Sequence, residues 1–196
     1  TWTLSTSGSA QELIEISVVD PSIAWVIGSY DGGVFKTTDA GNNWEEVDMS
    51  LSAGSPYGMP LEDISAFDAN TAWVVGGRPN EKDRPPAIFK TNDGGKSWLA
   101  TGPDDVVDTD LIAAVDENVC WVVGRNTMGG CLLKTTDGGK TWMDQTKNMP
   151  FETFSFQCLC EESDHLVDLR AVDDEICWAL GVDDMGSVTA DGGKTW

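Results

Sequence analysis

The chain has 196 residues, of which 12 are Lys or Arg and 33 are Asp or Glu, giving a formal net charge of −21 at pH 7. A field of that sign repels phosphate groups and anionic lipid surfaces, which argues against nucleic acids and membrane surfaces as partners. No stretch approaches the roughly 20 consecutive apolar residues that a membrane-spanning helix needs. The length and the 40% apolar content allow a sizeable globular core.

In chain order, the first predicted element of each repeat is an apolar strand that ends in an Asp-led turn. The phrase D-x-x-x-[AC]-W marks this turn at residues 20–25, 68–73, 116–121 and 173–178. Apolar residues alternate before each copy, and the Trp opens a second apolar run that ends in Gly. An apolar period of two with Asp at the chain reversal predicts two strands joined by a tight turn.

A third strand and a second turn complete each repeat. The phrase T-x-D-x-G-x-x-W follows the third strand at residues 37–44, 91–98, 135–142 and 189–196, and its Trp opens a fourth strand. We expect the Asp to accept hydrogen bonds from amides one or two residues onward and the Gly to supply a positive φ. In the last repeat, residues 185–188 lack the apolar pair of a third strand, so we expect an irregular strand there.

The repeat period predicts the architecture. The Trp of the first phrase recurs at spacings of 48, 48 and 57 residues, and the Trp of the second at 54, 44 and 54. A unit of about 45–55 residues with four antiparallel strands matches one blade of a β-propeller. We predict an all-β propeller or propeller segment with almost no helix. Its blades lie at approximately residues 1–48, 61–102, 106–146 and 164–196, and a strand at residues 1–5 is left over from a preceding blade or closes the ring.

The repeated residues are predicted to be structural. Tryptophans confined to two repeat slots indicate packing between blades, since one indole ring buries about 150–250 Å². The predicted inter-blade tryptophans are Trp25, Trp73, Trp121 and Trp178. The predicted turn residues are Asp39, Gly41, Trp44, Asp93, Gly95, Trp98, Asp137, Gly139, Trp142, Asp191, Gly193 and Trp196. Six of the eight lysines also hold repeat slots: Lys36, Lys90 and Lys134 in one, and Lys96, Lys140 and Lys194 in another.

Acidic and cysteine-rich stretches outside these phrases are the candidates for reactive sites. A glycosidase needs two facing carboxylates, one with a raised pKa. The candidate acids are Asp104, Asp105, Asp108, Asp110, Asp173, Asp174, Glu175, Asp183 and Asp184. We interpret them as solvated loop charge, because none has a recognisable catalytic context. Cys158, Cys160 and His165 fall short of the four ligands of a structural zinc site, so we expect no catalytic, cofactor or metal-binding residue.

Cysteine provides a further expectation. Cys120 and Cys177 occupy the small-residue slot before a Trp, where the other repeats have Ala. Cysteine in such a slot is typically a small buried hydrophobe. The chain has five cysteines, so at least one is unpaired within it.

The phrase T-x-D-G-G-K-T-W is similar to the Asp-box, or bacterial neuraminidase repeat. The longer unit, D-x-x-x-A-W-V-V-G followed by I-F-K-T-T-D-G-G-K-T-W, resembles the repeats of the photosystem II assembly and stability factor family of plastids and cyanobacteria. The resemblance covers essentially the whole chain and implies a propeller of six or more blades in which the box Asp is a structural turn residue. Asp-box propellers include sialidases, xyloglucan-cleaving glycosidases, sorting receptors and assembly factors.

This chain departs from two of the patterns that the resemblance implies. Sialidases carry an arginine cluster and a Tyr–Glu pair, whereas the arginines and tyrosines here lack that context; they are Arg78, Arg84, Arg125, Arg170, Tyr30 and Tyr57. The assembly-factor family has a basic patch, and here the cations mostly hold scaffold slots. These departures argue against a sialidase and leave the family's client open for this chain.

We therefore expect a non-enzymatic interaction or assembly scaffold whose acidic loops engage a protein partner or a larger assembly. The net charge favours a cationic partner surface, and a glycan is left open. The alternative is a carbohydrate-active propeller, a glycosidase or glycan-binding protein, with its site in blades beyond this chain. An extracytoplasmic compartment is favoured, and no cofactor is expected.

Overall fold

The computed structural model describes residues 12–28, 33–49, 60–76, 88–126, 129–149, 166–181 and 186–196. Several predicted features lie outside these residues: the strand at 1–5, the Cys158–His165 group, Asp183, Asp184, Arg78, Arg84, Tyr30 and Tyr57. Within the described ranges, no helix is long and apolar enough to cross a membrane.

The described residues form four antiparallel sheets, which we call blades one to four. Blade one contains β1 (Leu13–Val18), β2 (Ala24–Gly28), β3 (Val34–Thr37) and β4 (Glu45–Val47). Blade two contains β5 (Leu61–Ala66), β6 (Ala72–Gly76), β7 (Ile88–Thr91) and β8 (Leu99–Thr101). Blade three contains β9 (Val106–Ala114), β10 (Cys120–Asn126), β11 (Gly129–Thr135) and β12 (Met143–Asp144). Blade four contains β13 (Leu166–Ala171), β14 (Ile176–Gly181) and β15 (Gly186–Ala190).

The strands follow chain order in each sheet, so each blade is a meander. Among the described residues, the helical structure is limited to one 3₁₀ turn at Thr146–Asn148. The all-β prediction is confirmed. The third strand of blade four is regular, contrary to expectation, and pairs along its length with β14. Gly186 and Ser187 occupy the two slots that hold Val34 and Phe35 in blade one, and Ser187 is buried, so small residues take the place of the apolar pair.

The apolar core lies between neighbouring blades. In the first joint, Trp25 and Ile27 of blade one belong to the same buried cluster as Ile64 and Val74 of blade two. Equivalent clusters join blade two to blade three and blade three to blade four. Because blades two and three bury both faces in this way, their second strands are apolar on both faces over Ala72–Gly76 and residues 120–124.

The first strand of each blade lies on the inner side of the arrangement. Strands β1, β5, β9 and β13 are edge strands of their sheets, and contacts join β1 to β5, β5 to β9 and β9 to β13. The last strands, β4, β8 and β12, stand at the opposite edge. Side chains of the first strands are therefore the ones that blades bring together.

Candidate functional site

The T-x-D-x-G-x-x-W phrase folds into a hydrogen-bonded turn, seen clearly in blade three. The Thr135 hydroxyl donates to Asp137 Oδ1 and accepts from the amide of Gly139, both at 2.9 Å. The Asp137 carboxylate accepts from the amide of Thr141 at 2.9 Å and from its hydroxyl at 2.6 Å. The same carboxylate contacts recur in the other blades at Asp39 with Asn43, at Asp93 with Ser97 and at Asp191 with Thr195. These bonds, the Thr141 hydroxyl first, lower the pKa of Asp137 to about 2.

The geometry of this turn differs from the sequence expectation. The Asp accepts from the amide four residues onward, and not from amides one or two residues onward. The nearer amides, those of Asp137 and Gly139, donate instead to the hydroxyl of Thr135. The structural role of this Thr was missed, although a Thr stands two residues before the Asp in all four phrases.

The Asp that leads the other repeated turn also binds backbone. Oδ1 of Asp20 accepts from the amides of Ser22 and Ile23, at 2.6 and 2.9 Å. The same pair of amides is bound in the other three blades by Asp68, Asp116 and Asp173. Both repeated aspartates are thus occupied by contacts within their own turn.

Tryptophan and lysine form the joint between two blades. The Nζ atom of Lys36 lies 5.0 Å from the ring centre of Trp25 and donates to the carbonyl of Gly94 in the next blade, at 3.0 Å. The Trp25 indole donates to the carbonyl of Asp68, also in the next blade, at 3.1 Å. Lys90 over Trp73 and Lys134 over Trp121 repeat the lysine contacts. The Trp73 indole also donates to the carbonyl of Asp116, whereas the buried Trp121 indole nitrogen has no hydrogen-bond partner among the described residues. Each joint therefore combines an indole ring, a cation over its face and at least one carbonyl of the next blade that accepts from the lysine.

The box tryptophan of each following blade covers the same ring. Trp142 meets Trp73 edge to face, with ring centres 6.2 Å apart, and Trp196 meets Trp121 at 5.9 Å. Three of the four predicted inter-blade tryptophans, Trp25, Trp73 and Trp121, are fully buried in this way. Trp178 is the exception and is 53% exposed, because among the described residues no sheet follows blade four.

The cysteines of the described residues are inert. Cys120, Cys131 and Cys177 are buried and free. Burial raises the pKa of Cys131 and Cys177 to about 12, so these thiols stay protonated at neutral pH. In the part of the chain that the structure describes, no three His, Cys, Asp or Glu side chains gather closely enough to hold a metal ion.

Asp63 links the inner strands of blades two and three. Its carboxylate accepts from the amide of Ile112 at 2.8 Å and from that of Ile64 at 2.7 Å. Burial raises the pKa of Asp63 to about 6, more than these amides lower it; Glu15 raises it further and Arg170 lowers it. A carboxyl that titrates near neutral pH can serve as a general acid or base, but both oxygens of this one hold backbone amides. The geometry therefore favours a structural link.

A group of charged side chains lies beside this link, and we call Glu62, Asp108, Asp110 and Arg125 the acidic surface. The Arg125 guanidinium donates to the buried carboxylate of Asp108, and this hydrogen bond is the main cause that raises the pKa of Arg125. Burial, and then the nearby charges of Asp108 and Asp110, raise the pKa of Glu62. With three acids to one arginine, the surface has an excess of negative charge that a cationic group would neutralise.

The structure gives little support to a hydrolytic site among the described residues. Of the candidate acids for that role, Asp108 pairs with Arg125 and Asp173 binds the amides of its own turn. A cleft of about 170 Å³ beside the first box is lined by Lys36, Thr38, Asp39, Asn43, Trp44 and Glu45. Small-molecule sites usually span about 300–1,000 Å³, so this cleft is small for a sugar chain.

Sheets of this topology, closed by Thr–Asp turns and joined through tryptophan, define a segment of an Asp-box β-propeller. A family model described as Photosynthesis system II assembly factor YCF48 matches residues 1–102, which is more than half of the chain. The chain belongs to this family. No curated protein matches the chain.

Solved structures share the fold. A structure of YCF48 bound to a D1 peptide has a TM-score of 0.55 and 18% identity, over 96% of this chain and 68% of that one. The structure of YCF48 from Cyanidioschyzon merolae has a TM-score of 0.61 and 21% identity, over 97% of this chain and 57% of that one. The structure of the GH74 enzyme of Niastella koreensis has a TM-score of 0.56 and 16% identity, over 90% of this chain and 28% of that one. The propeller prediction is confirmed, and this chain spans only part of each of these proteins.

Proposed function

We propose that this chain is a non-enzymatic assembly scaffold that binds a peptide segment of a partner protein. The observation that carries the proposal is the match of residues 1–102 to the assembly-factor family. The contacts of the repeated polar side chains also support the proposal. The carboxylates of both turns and the joint lysines are occupied by contacts within the fold, which leaves recognition to the variable parts of the blades.

The partner segment that suits this chain is cationic. One protein of the same fold is bound to a D1 peptide, which supports a peptide as the kind of ligand. The net charge of −21 attracts Lys and Arg side chains and repels acidic ones. The acidic surface is a suitable contact, because like-charge repulsion contributes to the raised pKa of Glu62 and a bound cation would relieve it.

Substitution at the acidic surface tests this proposal. Fluorescence anisotropy would measure the binding of a labelled Lys-rich peptide and of a Glu-rich peptide of the same length. We expect the Lys-rich peptide to bind more tightly, and Glu62→Gln to weaken it about two- to fivefold by removing one attractive charge. Glu46→Gln is the matched control. Glu46 is an exposed acid on β4, the last strand of blade one, whereas Glu62 is on the first strand of blade two. Equal losses in the two variants, or preference for the Glu-rich peptide, would contradict the proposal.

The carbohydrate-active alternative has only the shared fold of the GH74 enzyme in its favour, at 16% identity. Fold alone does not carry activity from one propeller to another. Turnover of xyloglucan by this chain, abolished by a single Asp or Glu substitution, would overturn the scaffold proposal.

We also propose that the protein works in an extracytoplasmic compartment. The support is membership of the photosystem II assembly-factor family. Fractionation of cells that express the tagged protein would test it, and recovery with the cytosolic markers would contradict it.

A further inference from the structure

The second joint, between blades two and three, and the third joint, between blades three and four, differ in the polar bonds that cross them. In the second joint, three side chains bond β9 to blade two. One is Asp63, through the link described above. The Ser65 hydroxyl accepts from the amide of Ala114 at 3.0 Å. The Thr109 hydroxyl donates to the carbonyl of Gly76 and accepts from its amide, both at 3.0 Å.

Apolar residues occupy the same three slots in the third joint. The residues that strand register places there are Leu111, Ala113 and Leu166, in place of Asp63, Ser65 and Thr109. Their side chains neither donate nor accept hydrogen bonds, so none of the three bonds can form between blades three and four. The first joint is intermediate, since the hydroxyl of Ser17 accepts from the amide of Ala66 at 2.9 Å.

The indole N–H groups show the same difference between the two joints. In the second joint both donate, Trp73 to a backbone carbonyl at 3.4 Å and Trp142 to a threonine hydroxyl at 3.3 Å. In the third joint, the indole nitrogens of Trp121 and Trp196 are buried and have no hydrogen-bond partner among the described residues. A buried donor without an acceptor favours an open state, in which water can accept its hydrogen bond.

The third joint is bonded on its outer side. Lys134 of β11 donates to the carbonyl of Asp174, and Asn148, which follows β12, donates to the carbonyl of Gly193 at 2.8 Å. Strands β11 and β12 form the outer half of blade three. These bonds hold the outer side of the joint and leave its inner edges without the three ties of the second joint.

We propose that blade four opens away from blade three about the outer side of the third joint, while blades one to three stay joined. The bonds from Lys134 and Asn148 form the hinge, and the inner edges of β9 and β13 separate. Opening brings water to the two indole nitrogens and to the buried cluster of the joint, which includes Trp121 and Cys177. Both sides of this joint are described residues, and its missing bonds are independent of what packs on the other face of blade four.

Two native cysteines report on the opening of the two joints separately. Cys120 lies in the buried cluster of the second joint and Cys177 in that of the third, and both are fully buried. Alkylation of the native chain with iodoacetamide, followed by peptide mass spectrometry, would measure both rates in one sample. We expect Cys177 to react at least about tenfold faster than Cys120, because its joint has fewer bonds to break. Equal rates would overturn the proposal, since one common unfolding event would then expose both thiols.

An exchange of one side chain between the joints tests the cause. Ala113→Ser places a hydroxyl in the slot of Ser65 and offers an acceptor to the amide of Ala171. It should slow the alkylation of Cys177 about two- to tenfold and leave that of Cys120 unchanged. Ser65→Ala is the converse variant and should speed the alkylation of Cys120 by a similar factor. An unchanged Cys177 rate in Ala113→Ser would contradict the proposal.

Hydrogen exchange distinguishes a blade that moves from a blade that unfolds. If blade four opens as an intact sheet, the amides bonded between β13 and β14 should be more strongly protected than the thiol of Cys177. Equal protection of these amides and the thiol would overturn the proposal, because the sheet itself would then be unfolding. Circular dichroism would verify that both variants fold.

Discussion

At position 40 the first box carries Ala, where the other three boxes carry Gly94, Gly138 and Gly192. The backbone there has φ values between 75° and 77° at the glycines and 61° at Ala40. A Cβ atom makes this left-handed conformation unfavourable by about 1–2 kcal/mol. The hydrogen bonds of the Thr–Asp turn evidently impose the conformation on a residue that does not favour it.

Replacing this alanine should stabilise the protein. We expect Ala40→Gly to raise the free energy of unfolding by about 0.5–1 kcal/mol, because the relief of strain exceeds the greater chain entropy of Gly in the unfolded state. Gly94→Ala is the converse variant and should lower it. Urea denaturation of both variants measures the effect, and a stabilising Gly94→Ala would refute the strain argument.

The second residue-scale prediction concerns Asp63 and pH. An Asp with a pKa of 3.8 in the unfolded chain and about 6 in the folded protein binds its proton more tightly when folded. The folded state therefore holds more protons between these two values, so stability falls as pH rises through that window. Relative to Asp63→Asn, the free energy of unfolding of the wild type should fall by on the order of 2 kcal/mol as the pH rises from about 4 to 7.

Urea denaturation at a series of pH values measures this difference. Asp105→Asn, at an exposed loop position, provides the control and should follow the wild type at every pH. If the difference in the free energy of unfolding between the wild type and Asp63→Asn does not change with pH, the pKa of Asp63 is not raised by folding.

At the scale of elements, the joint between blades is the unit that holds the fold together. Gly95 shows how closely the blades approach: a Cβ atom on it would lie 2.1 Å from Cγ1 of Val47 on the preceding blade. Lys90 also links two blades: its Nζ atom lies 4.9 Å from the ring centre of Trp73 and donates a hydrogen bond to the carbonyl of Glu117. Burial lowers the pKa of Lys90, although neighbouring acids raise it.

Removing this lysine should weaken one joint measurably. Lys90→Met retains the aliphatic chain but loses the cation over the ring and leaves a carbonyl without its donor. We expect the free energy of unfolding to fall by about 1–3 kcal/mol. Lys96→Met, at an exposed position in the second box, removes the same charge without a joint and should have little effect. Equal losses in the two variants would assign the effect to net charge.

The same scale shows what could be predicted from the sequence. The two turns and the strands around them depend on neighbours within a few residues, and their phrases predicted them. The bond from Lys36 to Gly94 and that from Asp63 to Ile112 span 58 and 49 residues. These contacts depend on how one blade sits on the next, which no local pattern encodes. The exposure of Trp178 was missed for the same reason, since its slot is identical to that of three buried tryptophans.

For the whole molecule, scaffold and proposed recognition are assigned to different residues. The repeated Asp, Thr, Lys and Trp side chains bind neighbouring backbone or pack between sheets. The acidic surface has three acids to one arginine and therefore an excess of negative charge. Under the proposed function, the charge of the variable surface would select the partner while the repeated residues hold the fold.

The most direct test of this account is the salt dependence of binding to a Lys-rich peptide. If the field of 33 acids against 12 basic residues selects the partner, the dissociation constant should rise steadily as salt screens the attraction. A dissociation constant that stays the same from low to high salt, or an absence of binding at low salt, would contradict it.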